Sequence, residues 1–451
     1  MQHRYSIAMR LRLFTIYSIL LIVALASLCA CSKRAPIVIM PDDEKQPTYT
    51  IIYYAVGGAT LDKAIEESIA AMAKGGLPEN VALSGCIKWT KGYASELSNG
   101  EGNVYRFRLD GKQSTIELEQ IGDNNYPMHE PENIADFIRW SKEVAPADNY
   151  ILVLAGHGNG WHPQVNLTNN QEYTRGTLRD TDLDRYTSLE ELSQGIANSQ
   201  THFRMIHMVS CLMNNVEYIT SLAPYCDYIL GSSHISVMLC SELRFLKMAL
   251  KEIDNNSTES FVEAMQNYFD YIEADIEGKN DLEAETLDFS LTNTREVEAL
   301  NRGIAKLAAH LNEIYDEGDE GSIATLEEAI AQSYYFISAH IAPEDMATTE
   351  YLRMAFTYDL VDIAHRAGAA INDDQLKEIA STIKTQAEST RILHYSKSLN
   401  DIDDVYYGIT LTNSTLWEER GYSEAGYEET RFDKATRWSR FLKRNNIKVA
   451  Y

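Results

Sequence analysis

The sequence Tyr150-Ile-Leu-Val-Leu-Ala-Gly-His-Gly-Asn-Gly-Trp-His-Pro163 joins a run of apolar residues to a glycine-rich turn. The apolar run predicts a buried strand, and the Gly-His-Gly-Asn-Gly segment predicts a loop with little side-chain bulk around His157. Further along, Phe203-Arg-Met-Ile-His-Met-Val-Ser is a second largely apolar run, and it ends at Cys211. Two strands that end in a histidine and a cysteine indicate a thiol–imidazole pair at one edge of a sheet.

Strands and helices alternate around these two runs. Tyr49–Val56 and Val81–Trp89 have the composition of buried strands, while residues 60–74 and 134–144 carry apolar side chains at helical spacing. This alternation predicts an α/β fold with a mostly parallel central sheet. Because ligands bind beyond the carboxyl ends of parallel strands, the histidine and the cysteine fall where such a sheet performs its chemistry.

Length and composition set the broad class. The chain has 451 residues, of which 45% are hydrophobic and 24% are charged, as in a globular protein with a sizeable core. We divide it into a signal peptide (1–30), a tether (31–48), a catalytic core (49–240) and a helix-rich C-terminal region (241–451) that completes the fold. The net charge is −26 and no stripe of Lys and Arg is present, which argues against nucleic-acid binding.

The N-terminus has the pattern of a bacterial lipoprotein signal. Three arginines precede an apolar segment, Leu13–Ala26, that is short for a membrane span. The sequence Leu28-Cys-Ala-Cys31 resembles a lipobox, which predicts that Cys31 becomes the lipidated N-terminal residue. A plain signal peptide or a signal anchor is the alternative. The lipoprotein interpretation places the protein in the bacterial cell envelope, on the periplasmic face or at the cell surface.

The chemistry expected of the histidine and the cysteine is nucleophilic catalysis. A cysteine attacks as the thiolate, and a nearby imidazole lowers the thiol pKa and later protonates the leaving amine. We therefore predict Cys211 as the nucleophile and His157 as general base and acid. The N–H groups of Gly158 and Cys211 are the predicted oxyanion hole. The segment Leu212–Ile219 predicts a helix that Cys211 opens, so that the helix N-terminal field also stabilises the thiolate.

Other interpretations use the same residues. A metal site would combine His157, His162 and Cys211, but the spacing of the two histidines does not place them on one face, and no acid has matching spacing. We therefore predict no metal site and no required cofactor. In a protein that only binds, Cys211 would be a buried structural thiol and His157 a loop histidine. A glycan-binding lipoprotein is disfavoured because the aromatic residues are dispersed.

Structural roles are predicted for four further residues. His207 lies within the second apolar run and is predicted to pack in the core, while Trp161 is predicted to pack beside its loop. Cys226 and Cys240 are close enough in sequence to form a bridge outside the cytoplasm, although spacing alone does not establish one.

The two signatures, Ala155-Gly-His-Gly-Asn-Gly-Trp161 and Ser210-Cys-Leu-Met213, resemble those of clostripain-like cysteine peptidases, the C11 family in the caspase–gingipain–legumain group. Asn133–Trp140 is similar to the family's helix before the histidine strand, and Phe432–Leu442 to its closing helix. The resemblance implies a caspase-like α/β/α sandwich, a Cys-His dyad, and protein or peptide substrates. It also implies cleavage after basic residues, self-processing between the two catalytic residues and, in some members, dependence on calcium.

One position in the predicted specificity pocket departs from the family pattern. The family commonly carries an acid two residues before the cysteine, where it helps to bind a basic side chain; here Val209 occupies that position, followed by Ser210. Burying an unpaired Lys or Arg is costly, so basic specificity is not carried over. Acids that could compensate are Asp227, Glu242 and the loop Asp180–Asp184. The departure also keeps open a catalytically weak or silent lipoprotein that binds peptides or an envelope component.

The loop between the two predicted catalytic residues is the expected processing region. Residues 164–186 are polar and lack periodicity, which is typical of a mobile surface loop. The loop carries Arg175 and Arg179, and exposed backbone is where proteolytic cleavage concentrates. We therefore predict that any activating cleavage falls there.

Overall fold

The computed structural model of the chain describes residues 47–58, 61–98, 102–109, 111, 115–163, 175–234, 242–253, 255–277, 286–337, 355–398, 407–412 and 424–445. The predicted signal peptide (1–30), Cys31 with nearly all of the tether (31–48), and Cys240 lie outside these residues.

The strands of the described part are listed here in chain order. They are β1 (Tyr49–Val56), β2 (Val81–Lys88), β3 (Val104–Leu109), β4 (Glu119–Gly122), β5 (Asn149–Ala155), β6 (Gly158–Pro163), β7 (Arg175–Asp180), β8 (Arg185–Thr187), β9 (Phe203–Val209), β10 (Cys226–Gly231), β11 (Thr286–Asn293), β12 (Tyr335–Ile337), β13 (Ala355–Asp359), β14 (Arg391–Ser398) and β15 (Thr410–Thr412).

Nine of these strands form a central sheet in the order β14-β11-β10-β9-β5-β1-β2-β3-β4. The five inner strands, from β10 to β2, pair in parallel, and two antiparallel strands extend the sheet at each edge. Every residue of β1 is buried, as expected of a parallel strand covered on both faces. Two three-stranded sheets, β6-β7-β8 and β12-β13-β15, complete the described β-structure.

Helices cover both faces of the central sheet. They are α1 (Asp62–Ala73), α2 (Pro131–Val144), α3 (Leu189–Asn198), α4 (Val216–Leu222), α5 (Glu242–Lys251), α6 (Thr258–Glu277), α7 (Val297–Glu317), α8 (Glu320–Ala331), α9 (Leu360–Ala370), α10 (Asp374–Thr390), α11 (Glu424–Glu428), α12 (Arg431–Thr436) and α13 (Trp438–Leu442). Ile51 and Tyr53 of β1 face the core that contains α1, α5 and α6, whereas Ile52 and Tyr54 face the core that contains α2, α3, α4 and α7. This three-layer arrangement is the predicted α/β/α sandwich.

Local sequence signals set the boundaries of the helices around the site. Ser188 and Glu191 form a capping box at the start of α3: the Ser188 hydroxyl accepts from the Glu191 N–H at 3.1 Å, and the Glu191 carboxylate accepts from the Ser188 N–H at 2.9 Å. Pro131 stands at the start of α2, where its missing N–H costs nothing. Within the described part of the chain, no helix combines the length and the apolar character needed to span a membrane.

The C-terminal region is tied to the centre of the fold through Glu217 of α4. This side chain is fully buried, and it accepts hydrogen bonds from the Thr412 N–H at 3.0 Å and from the Tyr427 hydroxyl at 2.8 Å. Burial raises the pKa of the Glu217 carboxyl group. Strand β15 and helix α11 are thereby fixed to a helix that follows the second predicted catalytic residue.

A buried ion pair joins the central sheet to the β6-β7-β8 sheet. Lys88 ends β2 and Asp180 ends β7; their Nζ and Oδ2 atoms are 2.6 Å apart, and their side chains are 2% and 5% exposed. Lys88 Nζ also donates to the carbonyl oxygens of Asn124 and Tyr126, and Asp180 accepts two backbone N–H groups. Both charges are thus desolvated but fully hydrogen-bonded, which makes the loss of either partner costly.

Replacing Lys88 with methionine leaves the Asp180 carboxylate buried without its cation. We expect the free energy of unfolding, measured by urea denaturation, to fall by about 3–5 kcal/mol. The double variant Lys88→Met/Asp180→Leu should recover most of that loss. The control is Lys63→Met, which removes an exposed pair with Glu67 at 3.5 Å and should cost about 0.5 kcal/mol or less. Equal effects of the two single variants would contradict the argument.

Candidate active site

The ends of β5 and β9 lie side by side at the carboxyl edge of the parallel strands. The two strands pair in register, with Ala155 opposite Val209. The Gly156 N–H donates to the Val209 carbonyl oxygen at 3.2 Å, and Ser210 Oγ donates to the Gly156 carbonyl oxygen at 2.8 Å. The histidine loop and the cysteine loop therefore start from adjacent, hydrogen-bonded positions.

Gly158 brings these two loops into direct contact. A Cβ atom at this position would lie 2.6 Å from the carbonyl oxygen and 3.1 Å from the nitrogen of Cys211. The first distance is shorter than real Cβ contacts, so the approach needs a residue without a side chain. The backbone that follows His157 thus packs against the backbone of Cys211, as the sequence predicted for a shared site.

The cysteines of the described part differ in their surroundings. Cys86 and Cys226 are free thiols. Cys86 and Cys226 are buried, and burial raises the pKa of both thiols. Cys211 is half-buried. A nucleophilic thiol has to be accessible and must ionise, so Cys211 is the best suited of the three. Because Cys226 is free and Cys240 lies outside the described residues, the predicted bridge gains no support.

The chain leaves β9 through a tight turn at Leu212. This residue has a φ of 60° and a side chain that is 1% exposed, packed with Phe336. Its N–H donates to the His234 carbonyl oxygen at 2.9 Å. The left-handed conformation is costly for a leucine, so the position is held by its buried packing and this hydrogen bond.

The prediction that Cys211 opens a helix is wrong. Helix α4 begins only at Val216, and Asn215 caps it by accepting a hydrogen bond from the Tyr218 N–H at 3.0 Å. The turn at Leu212 interrupts the helical path, and the asparagine starts it again further on. The thiol therefore does not stand at a helix N-terminus, and the proposed field from that helix is removed from the argument.

The imidazole of His157 is half-buried and held by the backbone of Gly58, two residues after the end of β1. Burial lowers the pKa of His157 and the positive charge of Arg179 lowers it further, while a hydrogen bond to the Gly58 backbone acts in the opposite direction. Gly58 has a φ of +88°, and a Cβ there would lie 3.2 Å from the Arg179 carbonyl oxygen and 3.7 Å from His157 Cδ2. An imidazole oriented in this way and neutral near neutral pH can accept a proton from a thiol.

The β6-β7-β8 sheet flanks the site where the sequence predicted a mobile loop. Residue Thr177 of β7 pairs with Gly158 of β6 and with Thr187 of β8, and its Oγ1 donates to Ser210 Oγ at 3.2 Å. The prediction of an irregular loop is therefore wrong for residues 175–186, while residues 164–174 lie outside the description. The sequence has no period-two pattern here, because consecutive residues such as Thr177 and Leu178 are both buried, so that both faces of β7 are covered and polar residues are among those buried.

Backbone strain is concentrated at this site. Of the five non-glycine residues with positive φ in the described part, Leu178, Asp184 and Leu212 belong to the hairpin or the cysteine turn. Leu178 has a φ of 55° and is 1% exposed. Such conformations cost of order 1–3 kcal/mol each and are found most often at functional sites.

Arg179 lies next to His157, a position that sequence reasoning missed. Its N–H donates to the His157 carbonyl oxygen at 3.3 Å, and its guanidinium carbon is 5.9 Å from the ring centroid of Tyr186. The sequence had assigned Arg179 only to processing, and had not assigned Gly58 or Tyr186 to the site. The Gly57-Gly58 pair at the end of the first strand was the available signal for Gly58.

The predicted specificity residues are largely enclosed. Val209 is 7% exposed and, with His207 and Glu242, lines a cavity of about 10 Å³, which holds at most a single water molecule. Ser210 is 3% exposed, and its hydroxyl is engaged by Gly156 and the neighbouring strand. Of the acids considered as partners for a basic substrate, Glu242 is therefore the one that shares space with Val209.

The other acids considered form ion pairs or hydrogen bonds with other residues of the chain. Asp227 lies near the amino end of β10, at the opposite edge of the sheet, and pairs with Arg204 at 2.9 Å. Asp180 forms the buried pair with Lys88. Asp182 accepts hydrogen bonds from a backbone N–H and from an asparagine amide. The suggestion that Asp227 supplies the missing charge is therefore wrong, because parallel strands separate their two ends by the full height of the sheet.

The remaining sequence predictions concern packing and metals. His207 is buried, its pKa is lowered to about 3 by burial, and it packs edge-on against Tyr268, as predicted. Trp161 packs against Tyr427 with ring centroids 5.5 Å apart. Among the described residues, no group of three or more His, Cys, Asp or Glu side chains is arranged to hold a metal ion. The side chain of His162 lies outside the description.

Comparison with known sequences identifies the family. The model of the clostripain family, Peptidase_C11, matches residues 64–444. Clostripain from Hathewaya histolytica is 26% identical over 196 residues, which is 40% of this chain and 37% of clostripain. The chain thus matches well under two thirds of the length of that relative.

Solved structures share the fold. A secreted C11 cysteine protease from Bacteroides thetaiotaomicron, in complex with an irreversible peptide inhibitor, has a TM-score of 0.58 at 17% identity and covers 87% of this chain and 99% of its own. An inactive zymogen C11 protease from Parabacteroides distasonis has a TM-score of 0.58 at 16% identity with the same coverage. These likenesses confirm the predicted caspase-like fold. With the family match over most of its length, the chain belongs to the clostripain family of C11 cysteine peptidases.

Proposed function

We propose that the protein is a lipid-anchored cysteine endopeptidase, with Cys211 as nucleophile and His157 as general base and acid. The observation that carries the proposal is the contact between Gly158 and the Cys211 backbone, because it joins the histidine loop to a half-exposed thiol. Membership of the clostripain family supports peptide-bond hydrolysis as the reaction. Protein or peptide substrates follow from that reaction type.

The proposed reaction has two stages. His157 accepts the thiol proton, and the thiolate attacks the carbonyl carbon of the scissile peptide bond. The N–H groups of Gly158 and Cys211 are the proposed donors to the oxyanion. Collapse of the intermediate breaks the C–N bond, the imidazolium gives its proton to the leaving amine, and a thioester remains on the cysteine. Water, deprotonated by the imidazole, then hydrolyses the thioester and restores the thiol.

Cleavage after basic residues is not proposed for this chain. The position before Ser210 is occupied by Val209, which supplies no carboxylate to pair with a Lys or Arg side chain. Removing the charge of such a side chain from water without a partner would oppose binding. Calcium has no role in the proposed steps, since each proton transfer and the oxyanion contact use residues of the chain itself.

An extracytoplasmic location is part of the proposal. The lipobox-like sequence that ends at Cys31 supports a lipid anchor in the bacterial cell envelope. The Bacteroides thetaiotaomicron protease that shares the fold is described as secreted, which agrees with action outside the cytoplasm.

Removing the proposed nucleophile tests the mechanism. We expect Cys211→Ala to lower kcat/KM for peptide hydrolysis by at least about a thousandfold, because no other group replaces the thiolate. Cys86→Ala and Cys226→Ala should retain most of the activity, since both thiols are buried away from the site. Hydrolysis of a peptide library measures kcat/KM for each variant, and thiol labelling measures whether Cys211 is reactive. Substantial activity in Cys211→Ala would exclude the mechanism and favour a protein that only binds peptides.

The pH dependence follows from the surroundings of His157. Burial and Arg179 lower its pKa, so the imidazole should stay neutral to a lower pH than a free histidine, whose pKa is about 6.5. The acid limb of the kcat/KM profile reports an apparent pKa of the coupled Cys211–His157 pair. We expect this limb to lie below that value. Arg179→Gln removes a cation that opposes protonation, so the limb should move to higher pH. A limb that stays in place or moves to lower pH would contradict this account.

Self-processing and lipidation can be read from intact masses. Arg175 and Arg179 both lie within β7, Arg175 pairs with Pro163, and the Arg179 N–H is bonded to His157, so we expect any self-cleavage within 164–174 rather than at either arginine. Mass spectrometry should show two fragments in wild type and one chain in Cys211→Ala. A single chain in both, or a cut at either arginine, would contradict the proposal. The same spectra should show acyl groups on an N-terminal Cys31.

A further inference from the structure

Arg179 presents a cation beside the proposed dyad. Its backbone is bonded to the His157 carbonyl oxygen at 3.3 Å, so the residue moves with the catalytic loop. Its side chain is 30% exposed, which leaves the guanidinium accessible from solvent. The charge reaches the imidazole, because Arg179 contributes to the lowered pKa of His157. An accessible cation at this position faces any peptide that reaches the dyad.

Within the described part of the chain, the Arg179 guanidinium hydrogen-bonds Tyr186 and forms one long ion pair with Asp184. Its Nε is buried without an acceptor, and its ion pair with Asp184 is long, at 3.5 Å, to a carboxylate that is 72% exposed. An exposed pair at that distance contributes little. Guanidinium groups present their donors in a fork that matches the two oxygens of a carboxylate. The side chain is therefore equipped to bind a carboxylate that the protein does not itself supply.

Apart from Asp184, the acids near Arg179 are engaged with other partners. Asp180 is neutralised by Lys88 at 2.6 Å, and Asp182 is held by the Lys91 N–H and by Asn124. Val209 stands where the family commonly has an acid. The described surroundings of the dyad are therefore more favourable to an anion than those of a site built for basic side chains.

The position of Arg179 is built into the fold. The preceding residue, Leu178, is buried in a left-handed conformation, and the following residue, Asp180, is locked in the buried ion pair. The ring of Tyr186 lies beneath the guanidinium at 5.9 Å. Tyr186 is 6% exposed, and burial is the main cause of its raised pKa. A side chain supported on three sides loses little entropy on binding.

We propose that Arg179 is a specificity-determining residue that binds a carboxylate of the peptide substrate next to the scissile bond. The inference rests on the proposed function, because it assigns a substrate class to the same site. The carboxylate comes from a Glu or Asp side chain, or from the free C-terminus of a short peptide. The protein is then a peptidase that favours acidic peptides, in contrast to the basic preference implied by its family.

Matched peptides test the proposal. Each pair differs only by Glu or Gln at one position, placed on either side of the scissile bond, and each peptide is made with a free and with an amidated C-terminus. The measured quantity is the ratio of kcat/KM for Glu over Gln. We expect at least about a tenfold ratio in wild type, a smaller ratio in Arg179→Lys, and a ratio near one in Arg179→Gln. The charge-matched control is Arg185→Gln, which removes a cation of β8 that pairs with Glu191 at 2.6 Å and should keep the wild-type ratio.

The outcomes separate this inference from the proposed function. A preference that depends on the free C-terminus instead of the side chain supports carboxylate binding and assigns its source. A wild-type ratio near or below one, or a ratio that Arg179→Gln leaves unchanged, overturns the inference while peptide hydrolysis stands. If no peptide is hydrolysed and Cys211 resists labelling by iodoacetamide, the proposed function fails and the inference falls with it.

Discussion

The in-register parallel pairing of β5 with β9 is the constraint on which the site depends. Backbone hydrogen bonds hold Ala155 opposite Val209, so both chains leave the sheet at the same edge and the same height. A slip of one residue would turn the apolar side chains of a strand to the wrong face. Both faces of this sheet are packed against helices, so such a slip would disrupt two cores at once. The proximity of the histidine and cysteine loops is therefore maintained by the same burial that stabilises the fold.

The small β6-β7-β8 sheet places charged residues next to the histidine and cysteine loops. The Lys88–Asp180 pair anchors it to the central sheet, and the left-handed Leu178 directs the chain past the imidazole. The left-handed conformation of Leu178 costs free energy, which the burial of its side chain offsets. As a result, Asp180 is neutralised by Lys88, and Arg179 is left accessible beside His157. This arrangement, together with Val209, is the basis of the proposed departure from the basic specificity that its family implies.

The C-terminal region supports the cysteine turn from behind. The Thr410 N–H donates to the Asn214 carbonyl oxygen at 3.1 Å, and the Asn214 amide donates to the Gly408 carbonyl oxygen. Glu217 fixes the next helix to Thr412 and Tyr427. Residues far apart in sequence therefore hold the turn that presents the thiol, in which Leu212 has an unfavourable conformation. A peptidase core cut off before this region would lose these contacts, which explains why the family match continues to residue 444.

The sequence by itself determined the class of the fold and the two strand ends that carry the proposed catalytic residues. Apolar runs ending near His157 and Cys211, with helical patterns between the strands, were sufficient to predict a parallel α/β sheet. Strands that are buried on both faces consist mostly of apolar residues, so the sequence reveals them directly. The short signatures around them were sufficient for the family. Only the tertiary structure decided the course of residues 175–187, the late start of α4, and the place of Arg179. These depend on partners distant in sequence. A short strand such as β7, whose polar and apolar residues are buried alike, leaves no periodic pattern, and a buried ion pair such as Lys88–Asp180 joins residues that local sequence cannot relate.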